Sequence, residues 1–175
     1  MEREIEFNSQ GTTVRGDLSL PNGPGPHPLL MMAGGWCYVK EIVMPHYAES
    51  FRDRGFATLL FDYRTLGASD GQPRQHIDPW AQIEDYRNAL SFAATLGELD
   101  EARTGVWGIS YSGGHVLIVS AIDPRVKFVI STIPVVKGYM TMRRCHGERR
   151  FSDMVKLIAE DREQRFRGED SGRIA

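Results

Sequence analysis

The chain is poor in cysteine. Two among 175 residues, Cys37 and Cys145, cannot build a disulfide-stapled scaffold, and their scarcity leads us to expect a reducing, cytoplasmic setting. Long apolar runs are missing too. None approaches the ~20 residues a bilayer-spanning helix needs, and the segment Met1 to Phe7 has no apolar core of a secretory signal. Neither sign of charge dominates. The formal net charge is −2, which offers no basis for nucleic-acid or anionic-membrane partners. Internal repeats and low-complexity tracts are absent as well. What remains is ordinary for a globular domain with a real core: 41% hydrophobic and 25% charged residues.

Two alternating stretches, around Ile5 and from Thr12 to Leu20, predict an antiparallel hairpin turning near Gly11. The run Pro21 to Pro28 is too dense in Pro and Gly for helix or ladder and reads as a surface loop. Leu29 to Ala33, Phe56 to Phe61, Thr104 to Ile109 and Val126 to Ile133 are short apolar runs, the mark of strands buried on both faces. Between them lie helical patterns. Val43, Tyr47 and Phe51 recur at helical spacing, with Gly55 as a C-cap. Ile83, Tyr86, Leu90 and Ala93 follow Asp78-Pro79 in N-cap and N1 positions. His115 to Ser120 is apolar and β-branched, but its place after a tight turn makes it helix. Strands alternating with helices predict an α/β fold with a mostly parallel sheet and right-handed crossovers. After Lys137 the chain turns basic and polar, and one amphipathic helix is expected from about Glu148 to Phe166.

Gly108-Ile109-Ser110-Tyr111-Ser112-Gly113-Gly114 directly follows a buried strand and opens a helix. In that setting G-x-S-x-G has a mechanical meaning: small residues let the backbone bend sharply, and the serine hydroxyl stands at the strand's C-terminal edge. The helix behind it points its N-terminus at a reacting carbonyl. Ser110 is therefore the candidate nucleophile, with Gly108, Ser112 and Gly113 shaping the turn; Ser112, in the place of the second Gly, is small enough to fit. An oxyanion hole needs two N–H donors, one after the nucleophile and one from an earlier strand-end loop. Tyr111 supplies the first, and Trp36, after Gly34-Gly35, the second. The plain alternatives are a Gly/Ser-rich strand-to-helix turn without chemistry and a Trp36 that merely packs over the core.

Other groupings read as structural. His115, five residues past Ser110, points back along its helix. His146 lies in a Cys145-His146-Gly147 loop, and His27, His46 and His76 are expected on the surface or in loops. Arg143-Arg144 and Arg149-Arg150 form a solvated face. No Cys or His spacing fits zinc, and no Gly-Lys-Ser/Thr makes a phosphate loop. Asp62 and Asp70 suit turn and strand-end roles better than a metal, Asp123 a turn, and Trp80 and Tyr86 the core. No metal or cofactor is implied.

From about Ile5 to Ile133 the sequence resembles the α/β-hydrolase superfamily, in the branch of dienelactone-hydrolase-like and Xaa-Pro dipeptidyl-peptidase (S15)-like proteins that includes fungal polyketide transferases. Lys40 to Glu49, Phe61-Asp62-Tyr63-Arg64 through Gly67-Ala68-Ser69-Asp70-Gly71, Asp78-Pro79-Trp80 through Asp85-Tyr86-Arg87, and Trp107 to His115 carry the resemblance. It implies Ser110 as nucleophile, Trp36 and Tyr111 as backbone oxyanion donors, and a small-molecule acyl substrate. Many relatives have His-Gly where this chain has Gly34-Gly35. The family order is Ser, then Asp or Glu, then His, and no strands that would carry the last two follow Ile133. The expectation is an incomplete α/β-hydrolase core over residues 1–136 and a helical, lid-like segment or tail over 137–175. Two functions stay open: acyl hydrolysis or transfer through Ser110, or an inert hydrolase-like binding module without the triad acid and histidine. Val126 to Ile133, left as the last strand, also invites self-association at its edge.

Overall fold

The computed structural model describes residues 1–170 and 172. They fall into two units, Met1–Val135 and Val136–Ala175.

In the first unit the opening hairpin forms as its alternation predicts. Strands β1 (Glu2–Ser9) and β2 (Thr12–Ser19) pair antiparallel, with Ile5 opposite Gly16 and Phe7 opposite Val14. Strand β3 (His27–Ala33) begins two residues earlier than its apolar run, so His27 is a buried strand residue rather than a loop residue. Its N–H donates to the Glu98 carbonyl, which extends the ladder across Pro28. Helix α1 (Met44–Arg52) starts one residue after Val43, which sits outside the helix at φ 64°. Strand β4 (Ala57–Phe61) is wholly buried. Helix α2 (Pro79–Ala93) has the expected cap: Asp78 Oδ1 accepts from the N–H groups of Trp80 and Ala81 at 2.9 and 3.2 Å. Strand β5 (Leu99–Ile109), helix α3 (Tyr111–Ile122) and strand β6 (Phe128–Thr132) complete the unit.

The sheet order is β1-β2-β4-β3-β5-β6. Strands β4, β3, β5 and β6 run parallel, and β2 joins β4 antiparallel. Alternate residues of the central strands divide the core in two. Leu29, Met31 and Ala33 face Ile83, Tyr86, Val116 and Val119 of α2 and α3. Leu30 and Met32 face Met44 and Ala48 of α1, with Trp107 beside them. Helices thus cover both faces, and every parallel strand delivers its C-terminal end to one edge of the sheet.

Two further expectations need correction. Val126 to Ile133 was expected as a strand buried on both faces. The strand is shorter, Phe128–Thr132, and Val129 and Ile130 are over a third exposed because β6 stands last in the sheet order. Trp80 was expected in the core, yet it is 65% exposed on the first turn of α2. Its position beside the cap puts it one turn ahead of the buried stripe Ile83, Tyr86 and Leu90. Tyr86 is fully buried, as expected.

The second unit is helix α4 (Gly138–Phe166), broken at Gly147 by φ 72° and ψ 164°. The part after the break matches the helix expected from Glu148. The part before it was not foreseen, and it places Cys145 and His146 in a helix rather than a loop. Tyr139 meets Phe151 edge to face at 4.7 Å, and Arg143 pairs with Glu148 at 2.8 Å, so contacts bridge the break. No helix among the described residues is long and apolar enough to cross a membrane.

Candidate active site around Ser110

The turn between β5 and α3 is held by strained backbone. Ser110 has φ 58° and ψ −111°, a region that a non-glycine residue enters at a cost of about 1–3 kcal/mol and keeps only when its surroundings enforce it. The enforcing contacts are present. Its N–H donates to the Thr132 carbonyl at 2.9 Å, and its carbonyl accepts from Val135 N–H at 2.8 Å and Gly114 N–H at 3.3 Å. A side chain on Gly108 would collide with the Ser112 carbonyl, so only glycine lets the returning chain lie against the strand. Gly113 is buried and its carbonyl accepts from Ser131 Oγ at 2.8 Å. Ser112 is fully buried, and its hydroxyl accepts from Ile109 N–H at 2.9 Å.

The loop after β3 closes on this turn. A Cβ on Gly35 would lie 3.2 Å from the Ile109 carbonyl and 3.4 Å from Ser110 Cβ, so the glycine permits close approach. Trp36 follows, half exposed, its indole edge-on to the Tyr111 ring at 4.8 Å. Among the described residues, neither Trp36 N–H nor Tyr111 N–H has a backbone acceptor. Tyr111 opens α3, where the first N–H groups of a helix lack internal partners and carry its positive end. Ser110, Trp36 and Tyr111 therefore come together at the C-terminal edge of the sheet.

Asp62, read from sequence as a strand-end residue, does more. It is buried, and its two carboxylate oxygens accept from Lys40 N–H at 2.7 Å and Ala68 N–H at 2.8 Å. One side chain thus ties down the loop carrying Trp36 and the loop after β4. Burial pushes its pKa up, against the pull of the two N–H groups. The ammonium of Lys40 pairs with Asp17 at 2.8 Å, adding a second anchor to the same loop. The only sequence signal for this clamp was an Asp at a strand end before a Gly/Ser-rich loop. Asp70 pairs with Arg15 at 2.6 Å, and Asp123 ends α3 and pairs with Arg125 at 2.7 Å.

None of the described histidines of this unit hydrogen-bonds Ser110. His115 is buried with Nε2 2.9 Å from Gln82 Oε1; that oxygen only accepts, so Nε2 carries the hydrogen. Its ring packs on Tyr111 at 4.5 Å, and burial lowers its pKa to about 4, so it is neutral near pH 7. His46 is exposed on α1 and His76 in the loop before α2. Among the described residues of the first unit, the Ser110 hydroxyl has no hydrogen-bond partner. Cys37 and Cys145 are free and exposed, and no group of three or more His, Cys, Asp or Glu among the described residues is placed to hold a metal.

Residues 10–170 match the model of the X-Pro dipeptidyl-peptidase (S15) family. Over 161 residues the chain is 40% identical to a thiohydrolase, aneE, of Aspergillus aculeatus, covering 91% of this chain and 48% of that protein. It is 35% identical over 138 residues to the polyketide transferase claH of Penicillium crustosum, covering 77% of this chain and 45% of the other. The solved α/β-hydrolase GrgF of a Penicillium species superposes with a TM-score of 0.78 at 30% identity, over 97% of this chain and 56% of that one. The chain spans about half the length of the relatives it matches.

Proposed function

Since the chain belongs to the X-Pro dipeptidyl-peptidase (S15) family and has the α/β-hydrolase fold, we propose that it cleaves or transfers acyl groups through Ser110, with acyl thioesters as the preferred substrates. One observation carries this reading: the strained serine turn, with two unfilled N–H groups beside it. Ser110 Oγ attacks the carbonyl carbon of the bound acyl group. The carbonyl oxygen gains negative charge and takes hydrogen bonds from Trp36 N–H and Tyr111 N–H, which need not reorganise as the charge develops. Collapse expels the thiolate and leaves an acyl-Ser110 ester, which water or a hydroxyl acceptor then takes up.

The choice of thioester is supported by the names of two relatives, a thiohydrolase and a polyketide transferase. The exposed Trp36 and the half-buried Tyr111 suit an apolar acyl chain rather than a polar one. His115 is pinned to Gln82 and its pKa is lowered by burial, which makes it a poor base for the serine proton. In α/β-hydrolases the acid and the histidine follow the nucleophile in chain order.

One observation favours a second reading, a catalytically inert binding module: the Ser110 hydroxyl has no hydrogen-bond acceptor within its own unit. A serine-directed fluorophosphonate separates the two. Stoichiometric labelling mapped to the Ser110 peptide and lost in Ser110→Ala is the expected result. A folded chain that takes no label, or takes it elsewhere, sinks the enzyme reading and leaves the binding module.

A further inference from the structure

Ser112 occupies a position where the turn asks only for a small side chain, yet its hydroxyl is engaged on two sides. The residue is wholly buried. Its oxygen accepts from Ile109 N–H at 2.9 Å and lies 3.0 Å from both the Ala33 and the Ile109 carbonyls. Ala33 and Ile109 are the last residues of β3 and β5. Parallel pairing of these strands ends at Ala33 opposite Gly108. Beyond that rung the chains part, one toward Trp36 and the other toward Ser110 and Tyr111. The Ser112 hydroxyl therefore stands as a cross-tie just past the last rung, at the root of both segments.

Two buried phenols adjoin this tie. The phenols of Tyr63 and Tyr86 lie next to the hydroxyl, and burial pushes the pKa of both upward. Tyr86 donates to the Trp107 carbonyl at 2.9 Å and is committed there, while the Tyr63 oxygen finds no partner among the described residues. Without the Ser112 hydroxyl, Ile109 N–H loses its acceptor and Ala33 loses its cross-strand donor in a buried region, where unmade hydrogen bonds are costly.

We propose that Ser112 is a positioning residue for the oxyanion site: its hydroxyl, bonded at the ends of β3 and β5, fixes the separation of the Trp36 and Tyr111 N–H groups. This rests on Ser110 being the nucleophile of the proposed reaction. The residue touches no substrate and acts through the two strand ends.

Two measurements on the full chain test it independently. Amide hydrogen exchange is compared between wild type, Ser112→Ala and Ser112→Thr, which restores a hydroxyl. Ser112→Ala is expected to speed exchange about tenfold in the peptide covering residues 33–37, far from position 112 in sequence, while the β1–β2 hairpin is unchanged. Ser112→Thr is expected to return the peptide to the wild-type rate. Should Ser112→Ala not fold, Ser112→Cys, of similar volume and with a weak donor, takes its place. Wild-type exchange at 33–37 in the folded hydroxyl-less variant overturns the proposal. With a short acyl-thioester substrate, Ser112→Ala is expected to lower kcat about tenfold at unchanged KM, as small misplacements of catalytic groups do, and Ser112→Thr to recover most of the loss. A change confined to KM or to melting temperature also overturns it. If wild type neither turns over nor takes the fluorophosphonate, the reading of Ser110 fails, whereas the exchange result still decides whether the tie exists.

Discussion

His115 carries a chemical liability that its packing conceals. It is buried against Tyr63, Tyr111 and Gln82, and its pKa falls to about 4 from an ordinary 6.5 because burial disfavours the charged ring. Above pH 6.5 the imidazole is neutral in both folded and unfolded chains and contributes no pH dependence. Between 6.5 and 4 only the unfolded chain takes the proton, so stability falls as the pH drops and levels off below the folded value. The full effect is about 3 kcal/mol. Urea midpoints measured from pH 7.5 to 4.5 are expected to fall less steeply for His115→Gln than for wild type. Equal slopes would show that the ring is not held neutral. The sequence set Ser110 apart because a strand, a Gly-bracketed serine and a helix sit in one unbroken order. Asp62 and Ser112 gave no comparable signal, since each acts on backbone groups distant in sequence. Position 112 announced only its smallness, and a hydroxyl reaching Ala33 is a tertiary fact.

At the scale of elements, helix α2 was the most legible. Asp78 and Pro79 announce its start, and the buried residues Ile83, Tyr86, Leu90 and Ala93 keep helical spacing. Its cap is also testable. Asp78→Ala removes the acceptor for two N–H groups and is expected to cost about 1 kcal/mol in chemical denaturation. A loss below ~0.3 kcal/mol would mean that water satisfies those donors equally well. Helix α3 was legible only through context, since its β-branched run favours strand by propensity. The first half of α4 was missed for the opposite reason. Gly147 punctuates the sequence like a loop, and the helix before it offers few apolar residues to set a period. Strand β6 read as buried because periodicity reports apolar content, not which strand ends a sheet.

At the scale of the whole molecule, the first unit reads as a sheet with one finished and one unfinished margin. The finished margin is the β1–β2 hairpin, rich in charge on its outer strand. At the other, β6 has no further neighbour among the described residues and carries Val129 and Ile130, each over a third exposed. Unpaired apolar strand edges template pairing with other chains, and we propose that a second copy of this chain pairs there. Sedimentation velocity is expected to show concentration-dependent dimers that Ile130→Lys weakens; a monomer at every concentration would refute this. The same margin restrains the bend at Ser110. Ser110 owes both of its backbone restraints on that side to Thr132 and Val135, which lie well downstream of it. During synthesis these two bonds cannot form until residues 132–135 have cleared the exit tunnel, so the bend depends on chain made more than twenty residues after it.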